Sequence, residues 1–488
     1  MSLSMKKIVG RKKELESLKK IWNSKEAELV AVYGRRRVGK TFLIREFFEP
    51  QSRYFELAGK KDSPPIEQLK NFAESFSKTF YPGIKILPPK SWRDALTLLT
   101  QELEKNPTKK HLLFFDELPW LATKKSGFIQ ALDYFWNSYW SRMPNTKVIL
   151  CGSAASWMLE NLINAKGGLH NRLTRTIQLR PLNLYETQEY LLSRKVRLNI
   201  KHLLDLYMSI GGIPYYLNYV EAGKSAEQNI QEICFNAEGV LFTEFKRLFE
   251  SLFQNAELNL RIIREIANKR EGISREGLLK KLNISSGGTF NKRLNELEAA
   301  GFIQGFIPYR YKKKEQYFRI IDEYSSFYLT WIDPIAEKGF PQPNYWKRCI
   351  RSPQWISWSG YAFENVCLKH LPQILKALRL NSISCEVGNW RFTPAKGSKE
   401  TGAQIDLLLD RQDNAVTLCE IKYSANKYAI DKSYAKNLQN KMDIFQSKTK
   451  TPKQLFLALI TVNGVTKNLW SKELVTNQVD LKDLFKQR

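Results

Sequence analysis

Through the first 185 residues, short apolar runs alternate with longer stretches of helical period, the pattern of a parallel sheet whose strands are joined by helices. The runs at 28–33, 53–57, 111–115, 147–152 and 176–179 read as its strands. Residues 186–250 then read as mostly helical, broken sharply at Gly211-Gly212-Ile213-Pro214. From Asn255 the rhythm changes to helix, Gly-Ile-Ser turn, helix, Ser-Ser-Gly-Gly turn, helix, and a tyrosine-rich hairpin to Ile321. Residues 333–344 carry three prolines and read as a linker. Beyond them lie an aromatic segment, a helix expected from near Gly360, and alternating strands around 403–422. The expected domains are therefore 1–185, 186–250, 251–332 and 345–488, in a multidomain α/β chain.

The third domain has the rhythm of a winged helix-turn-helix. Leu278 and Leu279 fall in its first helix, 283–288 form the turn, and a second helix over 289–300 turns Leu294 and Leu297 inward. Lys292 and Arg293 are expected to point outward from that helix. The wing spans 302–320, with Lys312, Lys313 and Lys314 at its tip, where lysines suit phosphate contact. The alternative is a module that packs against protein with those lysines merely solvated.

Charge sharpens the choice of partner. Lys and Arg outnumber Asp and Glu by 77 to 49, for a formal charge of +28, which suits a polyanion. Nucleic acid, DNA above all, is the expected partner; an acidic membrane surface ranks behind it, because no amphipathic anchor and no membrane-spanning run is visible. The first residues lack the apolar core of a secretory signal, and six scattered cysteines read as buried thiols of a reducing compartment. A cytoplasmic location is the expectation. With four histidines and no CxxC, a zinc or His-based metal centre is not expected.

Two sets of residues carry chemistry. Gly34-Arg35-Arg36-Arg37-Val38-Gly39-Lys40-Thr41 fits GxxxxGK[ST], directly after one strand and directly before a helix. In that setting the glycines and Arg37 present backbone N–H groups to phosphates, Lys40 neutralises the β- and γ-phosphates, and Thr41 holds Mg²⁺. The strand 111–115 runs into Asp116 and Glu117, the first for the Mg²⁺ shell and the second to polarise the attacking water. Ser153, after the next strand, could sense the γ-phosphate. ATP and Mg²⁺ are the expected cofactors.

The stretch Ile8-Val9-Gly10-Arg11 resembles the entry motif of AAA+ and STAND-type ATPases, and Gly211-Gly212-Ile213-Pro214 resembles their lid motif. Together with the phosphate loop they are similar to the archaeal-type ATPase family over about the first half of the chain. The resemblance implies that Gly10 packs near the adenine and that Pro214 touches the base. It also implies that Arg172 could act as an arginine finger across a homo-oligomer, with Arg175 as a second candidate.

The second set lies late. Asp406 sits among apolar residues in one run, and Glu420 and Lys422 lie two apart in the next, so they share a strand face. Two carboxylates and a lysine make a hard oxygen site for Mg²⁺ with a cation to steady a phosphate. The spacing resembles the PD-(D/E)xK nuclease family, with Glu364 as the helix acid and Ile405-Asp406 replacing Pro-Asp. That resemblance implies an α/β nuclease-like domain and Mg²⁺-dependent cleavage of DNA. The competing expectation is a non-cleaving signalling or scaffold ATPase whose last domain only contacts nucleic acid or protein.

Overall fold

The computed structural model describes residues 8–487 except 124, 165–167, 237, 254, 286, 313–314, 337, 340–343, 396, 399 and the side chain of His170. The chain divides into two compact units, Met1–Pro181 with Ser251–Gln254, and Leu182–Glu250 with Asn255–Arg488.

In the first unit, β1 (Glu28–Tyr33), β2 (Arg53–Ala58), β3 (His111–Asp116), β4 (Thr146–Gly152) and β5 (Arg175–Gln178) form one sheet in the order β2-β3-β4-β1-β5. Every neighbouring pair is parallel. The expected strand 28–33 is observed residue for residue, and the other four differ by one residue at one or both ends. β3 and β4 are buried along their whole length, as strands covered by helices on both faces must be. Aromatic residues fill the core on one side: Phe55, Phe72, Phe76, Trp92, Phe115 and Phe128 belong to one buried cluster. Because all strands run the same way, the ends of β1, β3 and β4 fall at one edge, where the chain order reverses between β4 and β5. Such an edge is where α/β sheets bind ligands.

The second unit opens with helices Leu184–Ser193, Ile200–Ile210, Pro214–Leu217 and Ala226–Phe235. Gly211 has φ 70°, and a Cβ on Gly212 would lie 1.8 Å from the Leu182 carbonyl oxygen, so the break needs both glycines. Helices Arg275–Leu282 and Gly288–Ala299 follow, with β6 (Ile273–Ser274), β7 (Ile303–Phe306) and β8 (Tyr317–Ile320) in an antiparallel sheet ordered β6-β8-β7. Arg293 departs from the expected outward orientation. Its side chain is only 12% exposed and pairs with Glu296 at 2.6 Å, whereas Lys292 is exposed. A guanidinium with a carboxylate one turn away on its own helix gains more by folding back than by solvation.

β9 (Cys385–Phe392), β10 (Ala403–Arg411), β11 (Ala415–Lys422), β12 (Gln454–Thr461) and β13 (Asn477–Asp480) form a mixed sheet in the order β13-β12-β11-β10-β9. β9, β10 and β11 are antiparallel, whereas β11, β12 and β13 are parallel. Ile405, Leu408, Val416, Leu418, Leu457 and Leu459 pack with Leu438 and Phe445 of helix Lys432–Thr449. The helix expected from near Gly360 begins instead at Pro353, because Ser352 caps it by accepting from the Trp355 N–H and proline suits its first position. The expected linker contains the short helix Asp333–Ala336, pinned by Arg264 to Asp333 at 2.9 Å; residues 337 and 340–343 lie outside the described residues. Cys349 and Cys385 are half-exposed rather than buried, and all six cysteines are free. Among the described residues, no helix is long and apolar enough to cross a membrane.

Trp331, Trp346, Trp355 and Trp358 cluster with Phe327 in the second unit. The Trp346 indole N–H is buried with no hydrogen-bond partner among the described residues, so the side chain contributes chiefly through its ring area. Trp346→Ala should cost about 3–5 kcal/mol, and Trp346→Phe much less, in denaturant unfolding followed by tryptophan fluorescence. Equal losses for the two variants would show that the N–H matters.

Candidate nucleotide site and candidate carboxylate site

Strand β1 ends where the phosphate loop begins. Gly34 has φ 149°, and a Cβ there would lie 2.2 Å from the Leu179 carbonyl oxygen, so only glycine passes this point. Arg37 and Gly39 have φ 72° and 90°, the left-handed turns that aim successive N–H groups inward. Helix Lys40–Phe48 starts directly after. The Lys40 ammonium is 5% exposed and donates to the Gly34 carbonyl (2.9 Å), the Arg35 carbonyl (3.0 Å) and Ser153 Oγ (2.9 Å). Thr41 Oγ1 donates to Asp116 Oδ2 at 2.6 Å. Glu117, at the end of β3 with φ 46°, accepts from Ser153 Oγ at 2.7 Å and from the Ser153 N–H at 3.3 Å.

Lys40, Thr41, Asp116, Glu117 and Ser153 thus meet through direct hydrogen bonds although they come from three separated segments. The set suits a nucleotide: an ammonium for phosphate, a hydroxyl beside a carboxylate for Mg²⁺, and a second carboxylate for water. Ser153 Oγ bridges the two charges, accepting from Lys40 and donating to Glu117.

The second set is assembled by the mixed sheet. The β9–β10 register shifts between Ile405 and Leu408, an irregularity centred on Asp406, and such bulges re-aim a side chain. The Asp406 Oδ2 accepts from the Ile421 N–H at 3.0 Å, which ties it to the strand carrying Glu420 and Lys422. Glu420 is 1% exposed. It accepts from Lys441 Nζ at 2.7 and 2.8 Å and from Tyr434 Oη at 3.2 Å, and its nearest contact to Lys422 Nζ is 3.4 Å.

Glu364, on helix Pro353–Lys369, feels the same charges. Burial, and then the Asp406 carboxylate, push the Glu364 carboxyl up to about 8. Burial, and then Glu420, push Asp406 up to about 6. Burial alone would lower the Lys422 ammonium, but Glu420 and Asp406 hold it above its ordinary value. Arg319 of β8, drawn down to about 10 by burial, faces Glu364 electrostatically. Among the described residues no group of three or more His, Cys, Asp or Glu side chains is arranged to hold a metal ion. Asp406 and Glu420 present two carboxylates, and Mg²⁺ commonly takes one or two carboxylates plus substrate phosphates.

The remaining expected positions are scattered. Gly10 has φ 70° and precedes helix Lys12–Asn23. Arg172 is exposed at the end of the turn Gly168–Arg172, and Arg175 lies 3.9 Å from Glu28. Pro214 is the first residue of its helix. Lys312 is exposed; Lys313 and Lys314 lie outside the described residues.

Some participants are not legible in the sequence. Arg11 is 5% exposed and donates to the Val38 carbonyl at 3.0 Å, bracing the phosphate loop from outside its motif. Lys441 is one of several lysines on helix Lys432–Thr449 and nothing local sets it apart, so only the fold brings it to Glu420. Tyr423 directly follows Lys422 and could have been flagged by that adjacency. Its hydroxyl donates to Asp205 Oδ1 at 2.6 Å and accepts from Lys201 Nζ at 2.6 Å.

Lys441 is also the group whose loss should be most visible. Lys441→Ala leaves the buried Glu420 carboxylate with only its longer contacts to Tyr434 and Lys422 and should cost about 3 kcal/mol. Adding Glu420→Gln should recover part of that loss in urea unfolding, since the orphaned charge is then gone. A double variant no more stable than Lys441→Ala alone would argue against the pair as the source.

Residues 8–220 match the model of a family described as an ATPase domain predominantly from Archaea. The chain is 24% identical over 423 residues to the uncharacterized protein MJECL04 of Methanocaldococcus jannaschii, covering 85% of this chain and 87% of that one. It is 58% identical over 41 residues to the uncharacterized ATP-binding protein MJ0423 of the same organism, covering 8% of this chain and 70% of that one. Among solved structures it is similar to the Walker-type ATPase paby2304 of Pyrococcus abyssi, at 18% identity and TM-score 0.49, covering 66% of this chain and 96% of that one. Residues 8–220 are an archaeal-type ATPase domain.

Proposed function

We propose that the chain is an ATP-dependent, DNA-binding protein whose C-terminal carboxylate site cleaves DNA with Mg²⁺. The observation that carries this reading is the convergence of Glu364, Asp406, Glu420 and Lys422, drawn from one helix and two strands, into a single electrostatic cluster. A chain with no use for them would not gather two elevated carboxyls, a buried carboxylate and a half-buried lysine, because each costs desolvation free energy.

In the ATPase domain, Lys40 would bind the β- and γ-phosphates and Thr41, with Asp116 behind it, would hold Mg²⁺. Glu117 would accept the proton of the attacking water once its bond to Ser153 is released. The exposed Arg172 supports an arginine-finger reading, which requires a homo-oligomer. At the C-terminal site, Asp406 and Glu420 would hold the metal together with a substrate phosphate. Bound Mg²⁺ would supply Lewis-acid stabilisation and an activated water. Lys422, 28% exposed, would steady the charge that develops on the attacked phosphate. The helix-turn-helix with β7 and β8 supports a winged-helix reading, with Lys292 and the tip lysines 312–314 on phosphates.

One observation favours the non-cleaving scaffold as a second reading. Both Glu420 oxygens are held by Lys441, so metal binding must displace an ammonium.

The readings part on incubation with plasmid and oligonucleotides, with Mg²⁺ or Mn²⁺, with and without ATP. Cleavage should occur and should vanish in Asp406→Ala and in Lys422→Ala; wild-type protein that cuts neither DNA nor RNA with either metal leaves only the scaffold. Lys40→Ala should abolish ATP turnover, and unchanged turnover would remove the nucleotide site from the argument. Alanine at 312–314 should weaken DNA binding and flatten its salt dependence by up to about three phosphate contacts. An unchanged salt slope would favour a wing that meets protein.

A further inference from the structure

Glu420 is met by more cation than one buried carboxylate requires. Lys441 Nζ donates to both of its oxygens, at 2.7 and 2.8 Å, and Lys422 Nζ stands 3.4 Å from Oε2. One ammonium shared by both oxygens leaves neither free for a metal. The same two lysines act on Asp406: burial and then Glu420 raise its carboxyl, and Lys422 and Lys441 oppose them. Two carboxylates therefore face two ammoniums. Glu364 is the remaining acid, and burial pushes its carboxyl up to about 8, toward the neutral form, with Arg319 as its own counter-charge. A divalent cation added to so balanced a set leaves positive charge unmet in a half-buried place, which costs desolvation free energy. A phosphodiester supplies the missing anion.

The two lysines differ in freedom. Lys422 is built into β11 two residues from Glu420, whereas Lys441 reaches the site from helix Lys432–Thr449 on a flexible four-carbon stem. Its side chain is 19% exposed against 1% for Glu420, so its ammonium can turn toward solvent without moving the sheet. Tyr434, seven residues earlier and hence on the same face of that helix, donates to Glu420 Oε2 at 3.2 Å. That bond does not depend on Lys441, so the carboxylate keeps one donor when the ammonium leaves.

We propose that Lys441 gates the carboxylate site: it holds the cation's place on Glu420 until a substrate phosphate draws its ammonium away, so that metal and nucleic acid load together. The proposal rests on the metal-dependent reading of that site and adds the order in which it fills. A metal arriving without phosphate must expel Lys441 unaided and binds weakly. With a phosphate present, Lys441 exchanges one anion for another, and Glu420 is released to a metal that takes carboxylate and phosphate oxygens together.

The test is Mn²⁺ binding to the full chain without nucleotide or nucleic acid, taken as the difference from Glu420→Gln so that binding elsewhere cancels. Lys441→Met should bind Mn²⁺ about 10- to 100-fold more tightly than wild type, the size of one close charge-pair coupling. Lys441→Arg, which keeps the charge, should stay near wild type. Mn²⁺ should also raise the urea midpoint of Lys441→Met by more than that of wild type. Lys441→Met binding no more tightly than wild type would overturn the gate. The phosphate half is read from fluorescence anisotropy of a short labelled DNA oligonucleotide in EDTA and in Ca²⁺, with strand integrity checked on a gel. Ca²⁺ should strengthen oligonucleotide binding by wild type more than by Lys441→Met, in which Glu420 is already released; equal strengthening would overturn the coupling. If Lys441→Met gains metal affinity while no nucleic acid is ever cut, the cleavage reading fails and the gate stands. If DNA is cut while the two metal affinities are equal, the gate fails and cleavage stands. No Mn²⁺ beyond the Glu420→Gln background in either protein overturns the gate and the metal site together.

Discussion

Both sites depend on the constraint that a charge taken out of water must be met by partners of the right number and geometry. An ammonium has three donors to satisfy and no acceptor, and leaving one unmet in the interior costs kcal/mol rather than tenths. Lys40 meets the constraint with two carbonyls of its own loop and Ser153, so the loop's backbone is shaped around the lysine. Those two carbonyls point inward because Gly34 turns the chain where a Cβ would strike Leu179. Glu420 obeys the same rule with opposite sign: at 1% exposure it requires Lys441, Tyr434 and Lys422 around it. In each case the partner that a ligand would displace is also the one that stabilises the ligand-free arrangement.

How much of this was legible in the sequence depends on how far apart the partners lie along the chain. The phosphate loop, Asp116 and Glu117 could be placed from local pattern, because a strand running into a glycine turn and then a helix fixes where its side chains point. Glu420 and Lys422 could be placed on one face because a strand alternates with period two. What the pattern lacks is the third dimension. Arg11 reaches Val38, and Lys441 reaches Glu420, only once the fold has closed. Arg293 departs from the pattern for the opposite reason, since its acid, Glu296, lies only one turn away and draws the guanidinium back onto its own helix. The start of the helix at Pro353 is set by a short Ser-Pro cap, a local signal weaker than the periodic stretch that follows it.

The segment read as a lid and the carboxylate site share one compact unit, and a specific contact joins them. Helix Ile200–Ile210 ends at Gly211, whose φ of 70° breaks it, and one turn earlier Asp205 accepts from Lys201 and from the hydroxyl of Tyr423. Tyr423 is buried enough that burial raises its phenol well above the ordinary range, so it is a fixed strut rather than a mobile surface ring. Displacing the helix would have to break charge-assisted hydrogen bonds at about 1.5–3 kcal/mol each or carry Tyr423, and with it Lys422, along. A nucleotide can bias such a helix only through contacts that differ between its bound states. Any displacement of helix Ile200–Ile210 is therefore felt beside Lys422 through one buried aspartate and one tyrosine, with no path through the sheet.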